Sequence, residues 1–123
     1  MDKTFFFIGS LSGAIGVLLG AFGSHGLRKR LTPESMATFE IGVRYQMYHA
    51  FALIAVPIAN GQGRASSLPS ISGWLFAIGT ILFSGSLYLL ALTQKRWLGA
   101  ITPFGGLAFI AGWVCLALSA LSG

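Results

Sequence analysis

The side chains able to do chemistry in this chain are few and stand among apolar residues. His25 and His49 are its only imidazoles, and Tyr45, Gln46, Tyr88, Ser84, Ser86 and Thr102 are the polar groups that fall in register with them. Two imidazoles can begin a metal site, but zinc-type sites take three or four protein donors, and no third imidazole, thiolate or inward carboxylate accompanies this pair. Neither a metal nor another cofactor is therefore expected. Nucleophilic Ser–His catalysis has its residue types here, yet it lacks a recognisable spacing and an acidic group to orient the imidazole. The chain is read as non-enzymatic. What remains is ligand binding, proton handling or structural anchoring. Hydroxyls readily bond the carbonyls of their own helix, and interfacial His and Tyr tie down helix ends.

The elements that must position these groups follow from composition. Of 123 residues, 54% are hydrophobic and 9% charged, and the mean hydropathy is +0.77. Such a chain lacks the polar surface of a soluble domain, and lipid is its natural solvent. A helix crosses a bilayer core with about 20 apolar residues, so the chain has room for four crossings with short connections. The expected class is all-α, an integral membrane four-helix bundle with glycine-rich helix seams, forming one transmembrane domain over residues 1–123. The net charge of +5 and pI near 10.0 do not mark a nucleic-acid binder, because the basic residues flank apolar runs and make no separate stripe. The lone Cys115 excludes an intramolecular disulfide and any cysteine-cluster metal site.

Residues 5–22 carry no charge and open the first helix, expected over about 5–25. A signal peptide is the rival reading, since Lys3 precedes the run and Ala21, Gly23 and Ser24 are small, but the stretch is long for a signal core. Thr32 as N-cap, Pro33 at the first helical position and Glu34 in the first turn start a second helix, expected over 33–59. Its charged first part lies at the headgroups, and Tyr45 and Tyr48 suit the interface. Pro57 should kink or end it. A linker-like segment over 60–70, a third helix over 72–93, a tight hairpin at Gln94, Lys95 and Arg96, and a fourth helix over 97–121 complete the chain, with Pro103 tolerated in the fourth helix's first turns.

Charge asymmetry sets the expected orientation. Arg28, Lys29, Arg30, Arg44, Lys95 and Arg96 fall on the first and third connections, against Lys3 and Arg64 on the other side. By the positive-inside rule both termini are external, in the cell membrane.

Gly9, Gly13, Gly16, Gly20 and Gly23 recur in steps of four, three, four and three, which keeps them on one face of the first helix. Lipid tails are as apolar as leucine, so helices associate in a bilayer largely through close packing, which a glycine stripe permits. The fourth helix repeats the device with Gly105 and Gly112 in a stripe with Thr102, Ala108, Cys115 and Ser119. The third offers Gly73, Ala77, Thr80 and Ser84. Such faces serve packing within the chain, or contact with a second copy or a partner membrane protein. A loose echo between residues 16–24 and 79–86 is too short to establish a repeat.

On the second helix Gly42, Tyr45, His49 and Ala52 share one stripe. His49 is expected to face the bundle and to hydrogen-bond another helix at His25, Ser84, Ser86 or Tyr88, because a lipid-facing imidazole would lack partners. The expected site is a polar cleft in the cytoplasmic leaflet, formed by His25, Tyr45, Gln46, His49, Ser84, Ser86, Tyr88 and Thr102. Glu40 and Arg44 are spaced to pair along the helix. Arg28, Lys29 and Arg30 attract anionic membrane lipids.

Four ordered motifs carry a family resemblance: GAFGSHGL at 20–27, YQMYHAFAL at 45–53, LFSGSLYLLALT at 82–93, and ITPFGG followed by GW over 101–113. On these the chain resembles the YgdD-like small inner-membrane proteins, a domain of unknown function with relatives among small eukaryotic transmembrane proteins. The resemblance covers nearly the whole chain. It implies a four-helix membrane protein and brings no catalytic residues or cofactor. Ser24 departs from the alanine of GAFGAHG, and Glu40 stands where a small or hydroxyl residue is usual. The leading functional expectation is a protein that binds or passes a small molecule, lipid or ion at the polar cleft. The rival is a scaffold or accessory subunit packed against partner membrane proteins, and an intramembrane enzyme comes third.

Overall fold

The structure is a computed structural model that describes residues 3–61 and 66–121. It is all-helical among the described residues, with four long helices, three of them long and apolar enough to cross a membrane. The first helix runs Thr4–Leu27, two residues past the expected end, and is interrupted by a π-helical segment Leu18–Gly23. The second, Pro33–Asn60, starts as its sequence demands: Thr32 is extended and its hydroxyl accepts the Ser35 N–H at 3.1 Å. Pro57 does not end this helix, which continues three residues beyond it, and the Gly61 N–H bonds the Pro57 carbonyl. The third helix, Leu68–Thr93, begins four residues earlier than expected, because Pro69 sits in the first turn, where a missing N–H is harmless. Of the expected linker, residues 62–65, including Arg64, lie outside the described residues.

The largest departure is at the fourth helix. Instead of starting at Trp97, the chain makes a 3-10 turn, Arg96–Ala100, and the α-helix proper is Thr102–Ser119. Pro103 cannot donate to a preceding carbonyl, so it opens a new helix and does not extend an existing one. The hairpin before it turns on Gln94, whose backbone is left-handed at φ 62°, a conformation costing about 1–2 kcal/mol for a side-chain-bearing residue. Its amide offsets this by donating to the Ala91 carbonyl at 2.8 Å and to the Ser35 hydroxyl at 2.6 Å, tying the hairpin to the start of the second helix.

Consecutive helices pack against each other, and the second and fourth touch lightly. The second and third are therefore central, while the first and fourth flank them without substantial mutual packing among the described residues. The core is a file of rings and aliphatic groups between them: Phe5, Leu53, Val56, Phe76 and Phe109. Large side chains such as Phe7, Phe22, Phe51, Ile81 and Phe104 point outward, which suits a lipid environment.

The glycines set the approach distances. A methyl group on Gly9 would stand 2.8 Å from the Ala50 carbonyl oxygen, one on Gly20 3.1 Å from Val43, and one on Gly16 would run into the Met47 sulfur. Gly13 and Gly23 face Ala50 and Phe39 more loosely, at 3.9 and 3.4 Å. All five therefore look toward the second helix. In the third and fourth helices Gly105 lies against the Phe83 backbone, and Gly112 receives the Phe76 ring.

Candidate functional site

The eight polar residues expected in one cleft are divided among three internal ties, with Tyr45 and His25 apart. His49 is buried, at 4% exposure, and faces the other helices. Its Nδ1 is 2.8 Å from the Tyr45 carbonyl and its Nε2 3.0 Å from Trp113 Nε1. An indole N–H only donates, so Nε2 must be the unprotonated acceptor and Nδ1–H the donor to Tyr45. The neutral ring is held in one tautomer and lies flat on Phe109, with centroids 3.5 Å apart and planes at 6°. The cross-helix partner is thus Trp113, and none of the four expected residues fills that role.

A second tie joins the first three helices. The Tyr88 hydroxyl donates to Gln46 Oε1 at 2.6 Å, and Gln46 Nε2 donates to the Ser12 carbonyl at 2.9 Å. Ser84 donates to the Gly42 carbonyl at 2.6 Å, where a glycine lets the Tyr88 ring and the third helix come close. The third tie is the Ser86–Thr102 hydroxyl pair, 2.5 Å apart, between the third and fourth helices. The Tyr45 side chain lies outside these ties, packed on Phe83 and Tyr48. His25 is exposed at the end of the first helix. No buried side-chain nitrogen or oxygen among the described residues lacks a partner. With both imidazole nitrogens committed, the His49 ring offers no free lone pair for a metal.

Trp113, the Ser12 carbonyl and Gln94 were not among the expected site residues. Trp113 carries half a signal, since an indole inside an apolar run needs an acceptor, but which acceptor it finds depends on how the second and fourth helices cross. The Ser12 carbonyl has no such signal, because it depends on which helix face Gln46 meets.

The open space lies elsewhere. Because the first and third helices both pack on the second without closing on each other, a groove of about 570 Å³ remains between them. Its walls are Ile8, Leu11 and Ile15 on one side and Trp74, Ile78 and Ile81 on the other, and Leu53 and the Gln46–Tyr88 pair lie at its base. Phe5 seals one end by reaching across to Gly73 and meeting Trp74 edge-on at 5.2 Å. Of the expected site residues only Gln46 and Tyr88 line it. Their hydrogen-bonding atoms already serve each other and Ser12, so the groove offers apolar contact almost exclusively.

Residues 19–106 match the family described as "Protein of unknown function (DUF423)". The chain belongs to this family. It is similar to the UPF0382 membrane protein SH2409 of Staphylococcus haemolyticus, 49% identical over 95% of this chain and 94% of that one. Against the UPF0382 membrane protein YwdK of Bacillus subtilis identity is 40% over 97% of both chains. Against the UPF0382 inner membrane protein YgdD of Escherichia coli it is 41% over 91% of this chain and 85% of the relative. No solved structure matches. As a DUF423 protein the chain is a membrane protein of unknown function, and nothing in these names assigns it a ligand.

Proposed function

We propose that this DUF423 protein is a non-catalytic membrane protein that holds a single hydrocarbon chain, such as a lipid tail, in the groove between its first and third helices. The groove itself carries the reading. Its volume falls within the roughly 300–1,000 Å³ typical of small-molecule sites, and from Trp74 to Gly85 it runs about 16 Å along the third helix. Its walls are aliphatic and aromatic, and at its base the Gln46 amide and Tyr88 hydroxyl are spent on each other and on the Ser12 carbonyl, which favours an apolar occupant over an ion or a polar metabolite. Gly85 provides the test, since it lines the groove and a Cβ added there meets nothing within 4 Å, so a larger side chain can start into the open space without a backbone clash. Parinaric acid, a fluorescent fatty acid, should bind the purified protein in micelles saturably and with energy transfer from tryptophan. Gly85→Phe should remove the saturable component while leaving thermal stability unchanged. Equal saturable binding by both proteins, or none by the wild type, overturns the reading.

A second reading, a packing subunit for a partner membrane protein, is favoured by the polar ties, all of which are consumed in joining this chain's own helices. In that case the groove would be filled by a partner's helix, and parinaric acid would show no saturable binding.

The charge asymmetry supports an orientation with both termini external. Cysteines introduced at Ala37 and at Ser67, in a Cys115→Ala background, should be labelled from opposite sides of the membrane. Labelling of both from one side would reverse that assignment.

A further inference from the structure

Where the first helix hands over to the second, a separate cup of about 370 Å³ is lined by Arg28, Leu31, Pro33, Met36, Ala37 and Glu40. Two opposite charges share this cup, and among the described residues neither Arg28 nor Glu40 is in an ion pair. The cup's depth follows from helix length. The second helix has 28 residues, about 42 Å, which exceeds a hydrocarbon core of about 30 Å by roughly eight residues. With its Asn60 end at the far boundary, residues 33–40 stand in the headgroup layer, level with the end of the first helix.

We propose that this cup binds the headgroup of a zwitterionic aminophospholipid, with the phosphate on Arg28 and the primary ammonium on Glu40. An anionic headgroup without an amine would satisfy Arg28 but face the Glu40 carboxylate. A cation alone would face Arg28. A headgroup carrying both charges a few bonds apart satisfies both side chains at once, and guanidinium is well shaped to hold phosphate oxygens. Leu31, Pro33 and the buried Met36 provide an apolar bed for the carbons between the charges. Glu40 accepts hydrogen bonds from a primary ammonium, whereas a quaternary one has no N–H to give. The site therefore separates ethanolamine from choline headgroups. It is independent of the groove and makes no use of Gln46, Tyr88 or Gly85.

The test is competition among dioleoyl phosphatidylethanolamine, phosphatidylcholine and phosphatidylglycerol for the full chain in micelles, with retained lipid counted by native mass spectrometry. The wild type should retain the ethanolamine lipid over the choline lipid by about fivefold, the scale of one basic or acidic contact at a membrane surface. Glu40→Gln should erase that preference while leaving glycerol-lipid retention equal or higher, and Arg28→Gln should lower retention of all three. Both side chains are exposed, so helicity and melting should match the wild type, which separates loss of binding from loss of fold. An ethanolamine-to-choline ratio near one in the wild type, or a ratio unchanged in Glu40→Gln, overturns the proposal.

Discussion

The seam between the first and second helices and the seam between the third and fourth are both built on glycine, but in different ways. In the first, one helix supplies all five glycines and the other supplies the side chains that rest on them: Phe39, Val43, Met47 and Ala50. In the other, the exchange is reciprocal. Gly79 of the third helix receives Phe109 of the fourth, Gly112 of the fourth receives Phe76 of the third, and Gly105 brings the two backbones together at Phe83. At Gly16, Gly20 and Gly23 the one-sided stripe leaves the contact to side chains that can shift, and main chain opposes it at Gly9, against the Ala50 carbonyl. A reciprocal seam interlocks, and at its tightest point the opposing atoms are main chain. Without a hydrophobic driving force between helices in lipid, shape complementarity of this kind and interhelical hydrogen bonds must hold the bundle together.

The comparison can be broken at its extremes. Gly105→Ala should be the most damaging change: its methyl would meet the Phe83 backbone, with Cα at 2.8 Å, and only separation of the helices relieves that. The expected loss is about 3 kcal/mol, at the upper end of overpacking costs, read as a fall in thermal stability in micelles. Trp113→Phe should rank next. It keeps a ring on Phe76 but leaves His49 Nε2 without its donor in a buried site, a loss of about 2 kcal/mol. Nitrogen NMR of the wild type should show His49 protonated at Nδ1 and bare at Nε2, and the reverse tautomer would refute the Trp113 clasp. Gly16→Ala should be mildest, about 1 kcal/mol or less, because the obstructing atom is the Met47 thioether, which can swing aside. Equal losses at Gly105 and Gly16 would remove the distinction between the seams.

The five glycines at alternating steps of four and three define one face by helical periodicity alone, and a face without side chains has packing as its readable use. Thr32, Pro33 and Glu34 likewise fix a helix start through local bonds between neighbours in sequence. Composition suffices for the membrane and the all-helical class, since a backbone in lipid must satisfy its own hydrogen bonds. The inward face of His49 was legible too, because its stripe includes Gly42 and Ala52. Its partner was not: Trp113 lies 64 residues away, and the pairing depends on how the second and fourth helices cross. The expected polar cleft dissolved for the same reason. Shared depth in the membrane brings residues to one level, but rotation of each helix about its axis decides which of them meet. That rotation turned Ser86 toward Thr102, Tyr88 toward Gln46, and left His25 exposed. The groove is still further from the sequence, because it exists only where the first and third helices fail to touch. Local bonds and periodicity, then, determined the helices, their caps and the glycine face. The polar partnerships and the open space were decided by helix rotation and lateral order, which arise from contacts between residues far apart in the chain and leave no local pattern to read.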